Sequence, residues 1–495
     1  MEELLFRRPL SYLPVRAVTP HGTLSAVPGG DDDGGEDRIS ALPDELLHIV
    51  VSRLPIKDAV RTTVLSPRWR GIWRSAPLVL YDAHLLPARE PARAAAVDRV
   101  LAAHPGPIRA VHLAYCFLAA HERELARWPR RLAAGRVRDL VFLNLTAAMN
   151  LVPLPADILR CAELRRLYLG FWMFPDTGSF PEGAGGFPHL RELVLINTFM
   201  EDSSLDRVLA TSPALKTLAL VVSYGKGKHV RLHGQKLQCV LFWQSEAVEL
   251  AVLDAPRLER LIMWETSAPS EGDGPLMAVK IAEGATSSLK VLGYFQLGVH
   301  KLEIGNTVIK ADTNVSPTSM VPSVKNLALM VNLGVLEEVQ MLASFLRRFP
   351  NIETLHLEHV LDGGPTGNDY ADFFMELSPI ECVQSHIRTV ILHGISGDLS
   401  EVAFLMYLSQ RANELQKLTL VVTDKKTATV DDVKHILQVL AITPWASERC
   451  MVSLVHPKLE HDLNFHRASN LSVSDPFLEH GRECFRFTKE GYPRV

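Results

Sequence analysis

One phrase, Leu-x-x-Leu-x-Leu with close apolar substitutes, recurs eleven times and constrains the fold of this chain more than any other feature. Its apolar positions are Val137, Leu140, Phe142; Leu164, Leu167, Leu169; Leu190, Leu193, Leu195; Leu215, Leu218, Leu220; Leu237, Val240, Phe242; and Leu258, Leu261, Met263. After a looser middle it returns as Leu289, Leu292, Tyr294; Val324, Leu327, Leu329; Ile352, Leu355, Leu357; Ile387, Val390, Leu392; and Leu415, Leu418, Leu420. The last two positions are two residues apart, the period of a strand, so both side chains point inward, while the first turns the chain into that strand. One such turn cannot bury its own inner face, so neighbouring turns must stack, each adding a strand to a parallel sheet. Starts are 27, 26, 25, 22 and 21 residues apart in the first half, then 31, 35, 28, 35 and 28. That irregularity predicts an α/β solenoid with insertions, a curved parallel sheet with outer helices. The repeat leucines are assigned to the core. Recognition is left to the positions between them, for example Arg165, Arg166, Tyr168, Trp172, Glu192, Trp243 and Trp264. Tyr, Trp and Arg are frequent interface anchors, and a structural role is the alternative for each.

Ahead of the repeats, residues 37–80 read as three short helices. Pro43 and Asp44 suit a first helical turn, where a missing amide costs nothing and a carboxylate meets the positive end of the dipole. Leu54-Pro55 ends that helix, since the residue before a proline is pushed out of the α region. A second helical run spans Ile56 to Leu65, and Ser66-Pro67 opens a third through Arg74. Leu46, Val50 and Leu54 form one stripe, with Leu47 and Val51 beside it. This is more apolar surface than a unit of that size can bury in its own core. Either the surplus packs on the rest of the chain or it takes a second polypeptide.

The stretch from Asp37-Arg38-Ile39-Ser40-Ala41-Leu42-Pro43-Asp44-Glu45-Leu46-Leu47 to Arg68-Trp69-Arg70-Gly71-Ile72-Trp73 resembles an F-box. Leu54-Pro55, Ala59-Val60-Arg61 and Leu65-Ser66 also fall where that motif places them; Pro67 departs from the basic residue often found there but suits a helix start. The resemblance implies docking on a Skp-type adaptor, which hands the protein to a cullin-RING ubiquitin ligase. The residues it assigns to adaptor binding are Leu42, Pro43, Leu46, Leu47, Val50, Leu54, Pro55, Val60, Leu65 and Trp69. Seven Arg or Lys against three Asp or Glu make Arg38 to Leu80 basic, which suits an acidic partner surface as well as plain solvation.

The repeats resemble the degenerate leucine-rich repeats that follow plant F-boxes. Ser378-Pro379-Ile380-Glu381-Cys382-Val383, then His386 to Gly397, then a helix and Leu415-Gln416-Lys417-Leu418-Thr419-Leu420, resemble the FBD domain that closes many plant F-box proteins. Asp398 and Glu401 have capping-box spacing, and Val402, Leu405, Met406 and Leu408 give the helix an apolar face. The family assigns the FBD no chemistry, so this region is read as a cap on the solenoid. The expected division is an acidic leader over 1–36, the F-box over 37–80, repeats over 81–365, the FBD over 366–422 and a further cap and tail over 423–495. That tail includes Val433, Ile436, Leu437 and Leu440 at helical spacing and Ser474-Asp475-Pro476-Phe477.

Function classes are narrowed by what is missing. A net charge of −4 with 47% hydrophobic residues gives no bulk attraction to nucleic acid or to an anionic membrane. The six cysteines, Cys116, Cys161, Cys239, Cys382, Cys450 and Cys484, show no paired spacing, so buried inert thiols in a reducing compartment are expected. With no signal-like N-terminus and no apolar run of membrane length, the expected setting is the nucleus or cytoplasm. Gly225-Lys226-Gly227-Lys228 lacks the flanking residues of a phosphate-cradling loop, and no nucleophile elbow or dinucleotide fingerprint is present. His456, His461 and His466 at five-residue spacing would spread around a helix rather than converge on a metal. Lys226, Lys228, His229 and Arg231 could hold a phosphate, as inositol phosphates are held in hormone-sensing proteins that this architecture resembles; an exposed loop is the plainer reading. No catalytic residue, metal or cofactor is expected. The function implied is that of a non-catalytic substrate receptor in an SCF-type ligase, with an unnamed target on the repeats. A scaffold that acts without degradation is the alternative.

Overall fold

The repeat phrase becomes a parallel ladder in both of the units into which the chain divides, Met1–Gly227 and Lys228–Val495. The computed structural model describes residues 38–85, 88–145, 151–177, 185–222, 229–268, 276–285, 287–311, 313, 315–360, 369–422, 430–456, 465–478 and 482–488. The acidic leader of residues 1–36 therefore lies outside the described residues.

The first unit opens with three helices, α1 (Asp44–Arg53), α2 (Ile56–Arg61) and α3 (Pro67–Ser75), with a 3-10 turn at Thr62–Val64 between the last two. Six strands then pair in chain order, all parallel: β1 (Leu78–Tyr81), β2 (Ile108–Leu113), β3 (Asp139–Leu143), β4 (Arg166–Gly170), β5 (Glu192–Ile196) and β6 (Thr217–Val221). The register stacks Leu140, Leu167, Leu193 and Leu218 in one row and Phe142, Leu169, Leu195 and Leu220 in the next. All eight side chains are buried, as the phrase requires. Strand β1 carries no such phrase, whereas β2 carries a further instance that sequence reading missed, Ile108, Val111 and Leu113, all buried, with Val111 beside Leu140 and Leu113 beside Phe142. The chain leaves each strand β4, β5 and β6 through a residue in the left-handed region, Phe171, Asn197 and Val222, with φ of 64°, 41° and 53°. Only the asparagine among these is a residue that tolerates that conformation readily.

The second unit holds two ladders. Its strands are β7 (His229–His233), β8 (Cys239–Trp243), β9 (Glu249–Asp254), β10 (Arg260–Trp264), β11 (Met277–Ile281), β12 (Val291–Gln296), β13 (His300–Ile304), β14 (Asn326–Val331), β15 (Thr354–His359), β16 (Thr389–Ile395), β17 (Lys417–Val422), β18 (Met451–His456) and β19 (Arg482–Thr488). The main ladder runs β8, β10, β12, β14, β15, β16, β17 and β18 in parallel, and β19 closes it antiparallel against β18. Val240, Leu261, Leu292, Leu327, Leu355, Val390, Leu418 and Val452 form one buried row across it. Here too β8 and β10 end in left-handed residues, Gln244 and Glu265.

Two expectations are corrected in this unit. Between residues 229 and 304 the connections carry strands, not helices: β7, β9, β11 and β13 make a second parallel ladder, with Thr307–Val308 antiparallel at its edge. Met277, Val279, Ile281 and His300, Leu302, Ile304 alternate buried against more accessible neighbours, the pattern of a sheet with one packed face. Second, Tyr294 is not an inward repeat position. The ladder shifts between Leu292 and Phe295, so Phe295 pairs with Leu329 and Tyr294 falls out of the row. Gly293 lies at that shift with φ of 140°, and a Cβ there would collide with Ala328. From β14 onward helices occupy the connections, at Leu336–Arg348, Asp369–Glu376, Leu399–Arg411 and Val430–Ile442. The capping box of Leu399–Arg411 forms as expected, with Asp398 and Glu401 reciprocally bonded. Its buried face uses Phe404, Leu405, Tyr407 and Leu408, while Met406 is exposed. Among the described residues no helix is long and apolar enough to cross a membrane.

Candidate functional site

The three N-terminal helices enclose a small core of Leu47, Val51, Ala59, Trp69, Ile72 and Ala76, with Leu42, Leu54 and Trp73 packed at its edge. Polar contacts fix the chain entering α1 to α3. Ser66 caps α3 by accepting the Trp69 backbone N–H at 3.3 Å. The Trp69 indole Nε1 donates to Ser40 Oγ at 3.0 Å. The Arg68 guanidinium donates to Asp44 Oδ1 from two nitrogens at 2.7 and 3.0 Å, to the Leu42 carbonyl at 2.6 Å and to the Ser40 carbonyl. Arg68 and Trp69 thus tie residues 40–44 onto α3. Asp44 carries a second task as an acidic residue in the first turn of α1.

Outside this core the unit exposes apolar side chains as well as charged ones. Sixteen large apolar side chains are exposed among the described residues, and seven of them fall between Ile39 and Leu65: Ile39, Leu46, Ile49, Val50, Val60, Val64 and Leu65. Their exposure runs from 37% at Val50 to 81% at Val64, and helical spacing puts Leu46, Ile49 and Val50 on one face of α1. Around them Arg38, Arg53, Lys57, Arg61, Arg70 and Arg74 are all exposed.

This divides the residues expected to bind an adaptor into three groups. Leu46, Val50, Val60 and Leu65 are exposed on the apolar surface, and Pro43 is exposed at the start of α1. Leu42, Leu54 and Pro55 are half-buried, the two leucines against the core. Leu47 and Trp69 differ from the rest: both are almost fully buried inside the unit. Neighbouring helical residues point about 100° apart, so of Leu46-Leu47 only one can face the core. Sequence reading missed Ile39, Ile49 and Val64. Ile49 was detectable, because it lies three residues after Leu46 on the face that Val50 continues.

The other candidates separate as cleanly. Tyr168, Trp172 and Trp243 are buried and structural: the Tyr168 hydroxyl donates to Glu192 and the Trp172 indole to the Phe142 carbonyl at 2.8 Å. Arg165 and Arg166 remain exposed, with Arg166 held bidentate by Asp139 at 2.7 and 3.0 Å. Glu192 and Trp264 are half-buried. Lys226, Lys228 and His461 lie outside the described residues. His359, Asp398 and Glu401 bring three potential ligand atoms within 4.8 Å of one another. Both Glu401 oxygens are already occupied: one accepts from Ser396 and faces His359 Nδ1 at 2.8 Å, the other accepts the Gly397 and Asp398 amides. A capping role accounts for that geometry. Cys116, Cys161, Cys239, Cys382 and Cys450 are buried free thiols, and burial pushes Cys161, Cys382 and Cys450 up to about 12, far from reactive thiolate.

Comparison with known proteins meets this geometry at three places. The F-box domain family matches residues 39–81, the family described as FBD-associated F-box protein At5g56370, LRR repeats, matches 125–357, and the FBD family matches 375–420. An F-box/LRR-repeat protein of Arabidopsis thaliana is 32% identical over 187 residues, covering 37% of this chain and 60% of that protein. An F-box/FBD/LRR-repeat protein of the same plant is 25% identical over 473 residues, 85% of this chain and 97% of its own length. Another is 23% identical over 446 residues, 87% and 98%.

Proposed function

Because this chain is an F-box protein with leucine-rich repeats and a C-terminal FBD domain, we propose that it is a substrate-recognition subunit of an SCF-type cullin-RING ubiquitin ligase. In this reading the surface formed by Ile39, Leu46, Ile49, Val50, Val60, Val64 and Leu65 docks on a Skp-type adaptor, and the repeat region carries the target. The concentration of exposed apolar side chains on a unit whose own core is already filled is the observation that carries the proposal. Complete burial of one such side chain is worth about 1.5–3 kcal/mol. Seven that are partly covered beforehand give less each, yet enough together to exceed the cost of association. The six exposed Arg and Lys favour an adaptor surface of acidic character and would speed encounter more than they add affinity.

The chain's contribution is then placement without chemistry of its own. A target held on the repeats and an adaptor held on the helices raise the effective concentration of target lysines near a charged conjugating enzyme. Capture from plant extract tests this, comparing the intact chain with a Leu46→Asp, Val50→Asp variant. The expected result is adaptor and cullin with the first and neither with the second. Equal adaptor recovery would remove the docking surface, and adaptor without cullin would leave a scaffold in place of a ligase subunit.

A further inference from the structure

Residues 465–478 lie across the main sheet of the second unit. They comprise a five-residue helix, Phe465–Ser469, a turn in which Asn470 Oδ1 accepts the Ser472 amide at 3.1 Å, and the run to Phe477. They touch five successive strands, β8, β10, β12, β14 and β15. Cys239 Sγ on β8 is 3.7 Å from the Ala468 carbonyl. On β10 the Arg260 guanidinium donates to the carbonyls of Ala468 at 2.7 Å, Arg467 at 3.3 Å and Val473. Asn326 Nδ2 on β14 donates to the Ser474 carbonyl at 3.0 Å. His356 Nε2 on β15 is 3.0 Å from Asp475 Oδ2, and the Phe477 ring sits 5.1 Å from Tyr294 and 5.4 Å from His356.

A segment that only shielded an apolar sheet would meet apolar side chains, because burying polar ones without need is costly. This face instead presents Arg260, Asn326 and His356, all buried, to main-chain carbonyls and one carboxylate. Main-chain bonds that hold any sequence, combined with one charged and one aromatic subsite that hold a particular one, are the means by which proteins read peptides. The displaced Tyr294 supplies part of the aromatic subsite, which gives the register shift in β12 a use. The segment is shaped for its position: Asp475 accepts the Phe477 amide at 3.0 Å with one oxygen and turns the other to His356.

We propose that this sheet face is a peptide-binding site which the chain's own residues 465–478 occupy in cis, and that a target protein presenting an aspartate two residues before an aromatic side chain takes their place. The proposal deepens the receptor reading above and rests on it for the target's fate. Peptide binding is measured here without adaptor, so either can fail alone.

The test uses the full chain, a full-chain Asp475→Ala, Phe477→Ala variant, and a synthetic peptide with the natural sequence of residues 465–478, followed by fluorescence anisotropy. A site closed in cis lowers apparent affinity by the fraction of time it is open. The variant is therefore expected to bind the peptide about ten-fold more tightly than the natural chain, or better. Alanine at the same two peptide positions should abolish binding, and Arg260→Ala added to the variant should weaken it. Equal binding to both chains, or binding indifferent to the peptide's aspartate and phenylalanine, overturns the proposal. So does loss of cooperative thermal unfolding in the variant, which would make the segment a fixed part of the core.

Discussion

The chain carries two surfaces suited to another polypeptide, and they are finished in opposite ways. On the helices, Leu46, Val50, Val60 and Leu65 are left bare above a filled core. On the second unit's sheet, Arg260, Asn326 and His356 are covered by residues 465–478. The bare surface is apolar and the covered one polar. An apolar surface discriminates poorly but gains from any burial, which suits a partner shared by many proteins. A polar surface left open would only hydrogen-bond water, and it gains when the right groups fill it, which suits a selective partner. The contrast teaches that exposure alone is a poor guide to where a chain binds: the more selective site here is a buried one.

The sharpest way to break the comparison is Leu46→Asp with Val50→Asp. Two carboxylates on the bare surface should weaken adaptor capture by several kcal/mol, roughly a hundred-fold or more, with the melting curve unchanged. Leu47→Ala should do the reverse. It removes a fully buried side chain, costs the helical unit about 2–5 kcal/mol, and shows as lost helical circular dichroism and proteolysis ahead of Leu78. If Leu47→Ala left that unit folded while adaptor capture fell, the division between core and surface would be misplaced.

On the covered surface, Arg260→Ala leaves the Arg467, Ala468 and Val473 carbonyls without their charged donor. Hydrogen bonds to charged groups are worth about 1.5–3 kcal/mol, so hydrogen exchange over 465–478 should accelerate by roughly ten-fold to a hundred-fold. Unchanged exchange would show that Arg260 does not hold the segment. A smaller effect concerns pH and compares the two units directly. Burial pushes His112 in the first and His300 in the second down to about 4, from an ordinary value of 6.5. Each is held neutral in the folded protein, so its contribution is complete above pH 6.5 and is lost as pH falls toward 4. Melting temperature should decline over that window, and His300→Gln should flatten the decline for the second unit alone. The smallest effect is expected at Val222, a β-branched residue with positive φ; Val222→Asn should stabilise the first unit by about 1 kcal/mol in chemical denaturation.

How much of this was legible in the sequence depends on the range of the interactions involved. The ladder was, because stacking makes each turn repeat the demands of the last, and Leu167, Leu193 and Leu218 stand in one row as their phrases required. The capping box at Asp398 and Glu401 was, because it closes within four residues. The second ladder was half legible: Met277, Val279 and Ile281 alternate, but nothing local says that helices will be absent around them. Which of Leu46 and Leu47 faces inward was not legible, since only the packing of α3 through Trp69 and Ile72 decides it. The covering segment left no local trace either. Its partners lie between 119 and 229 residues away, and Ser474-Asp475-Pro476-Phe477 reads as an ordinary turn until His356 is placed opposite it.

The left-handed residues that close successive strands have a consequence for how such an array changes over time. Phe171, Asn197 and Val222 punctuate the first unit at 26 and 25 residues, and each interval holds one strand of the main ladder. Material between two such hinges is a cassette: loss or duplication of a whole interval leaves the flanking rows in step, whereas a one-residue cut inside a strand turns that strand's inward side chains to the other face. Selection can therefore vary the number and the loops of these cassettes freely, as long as it keeps the hinges in phase.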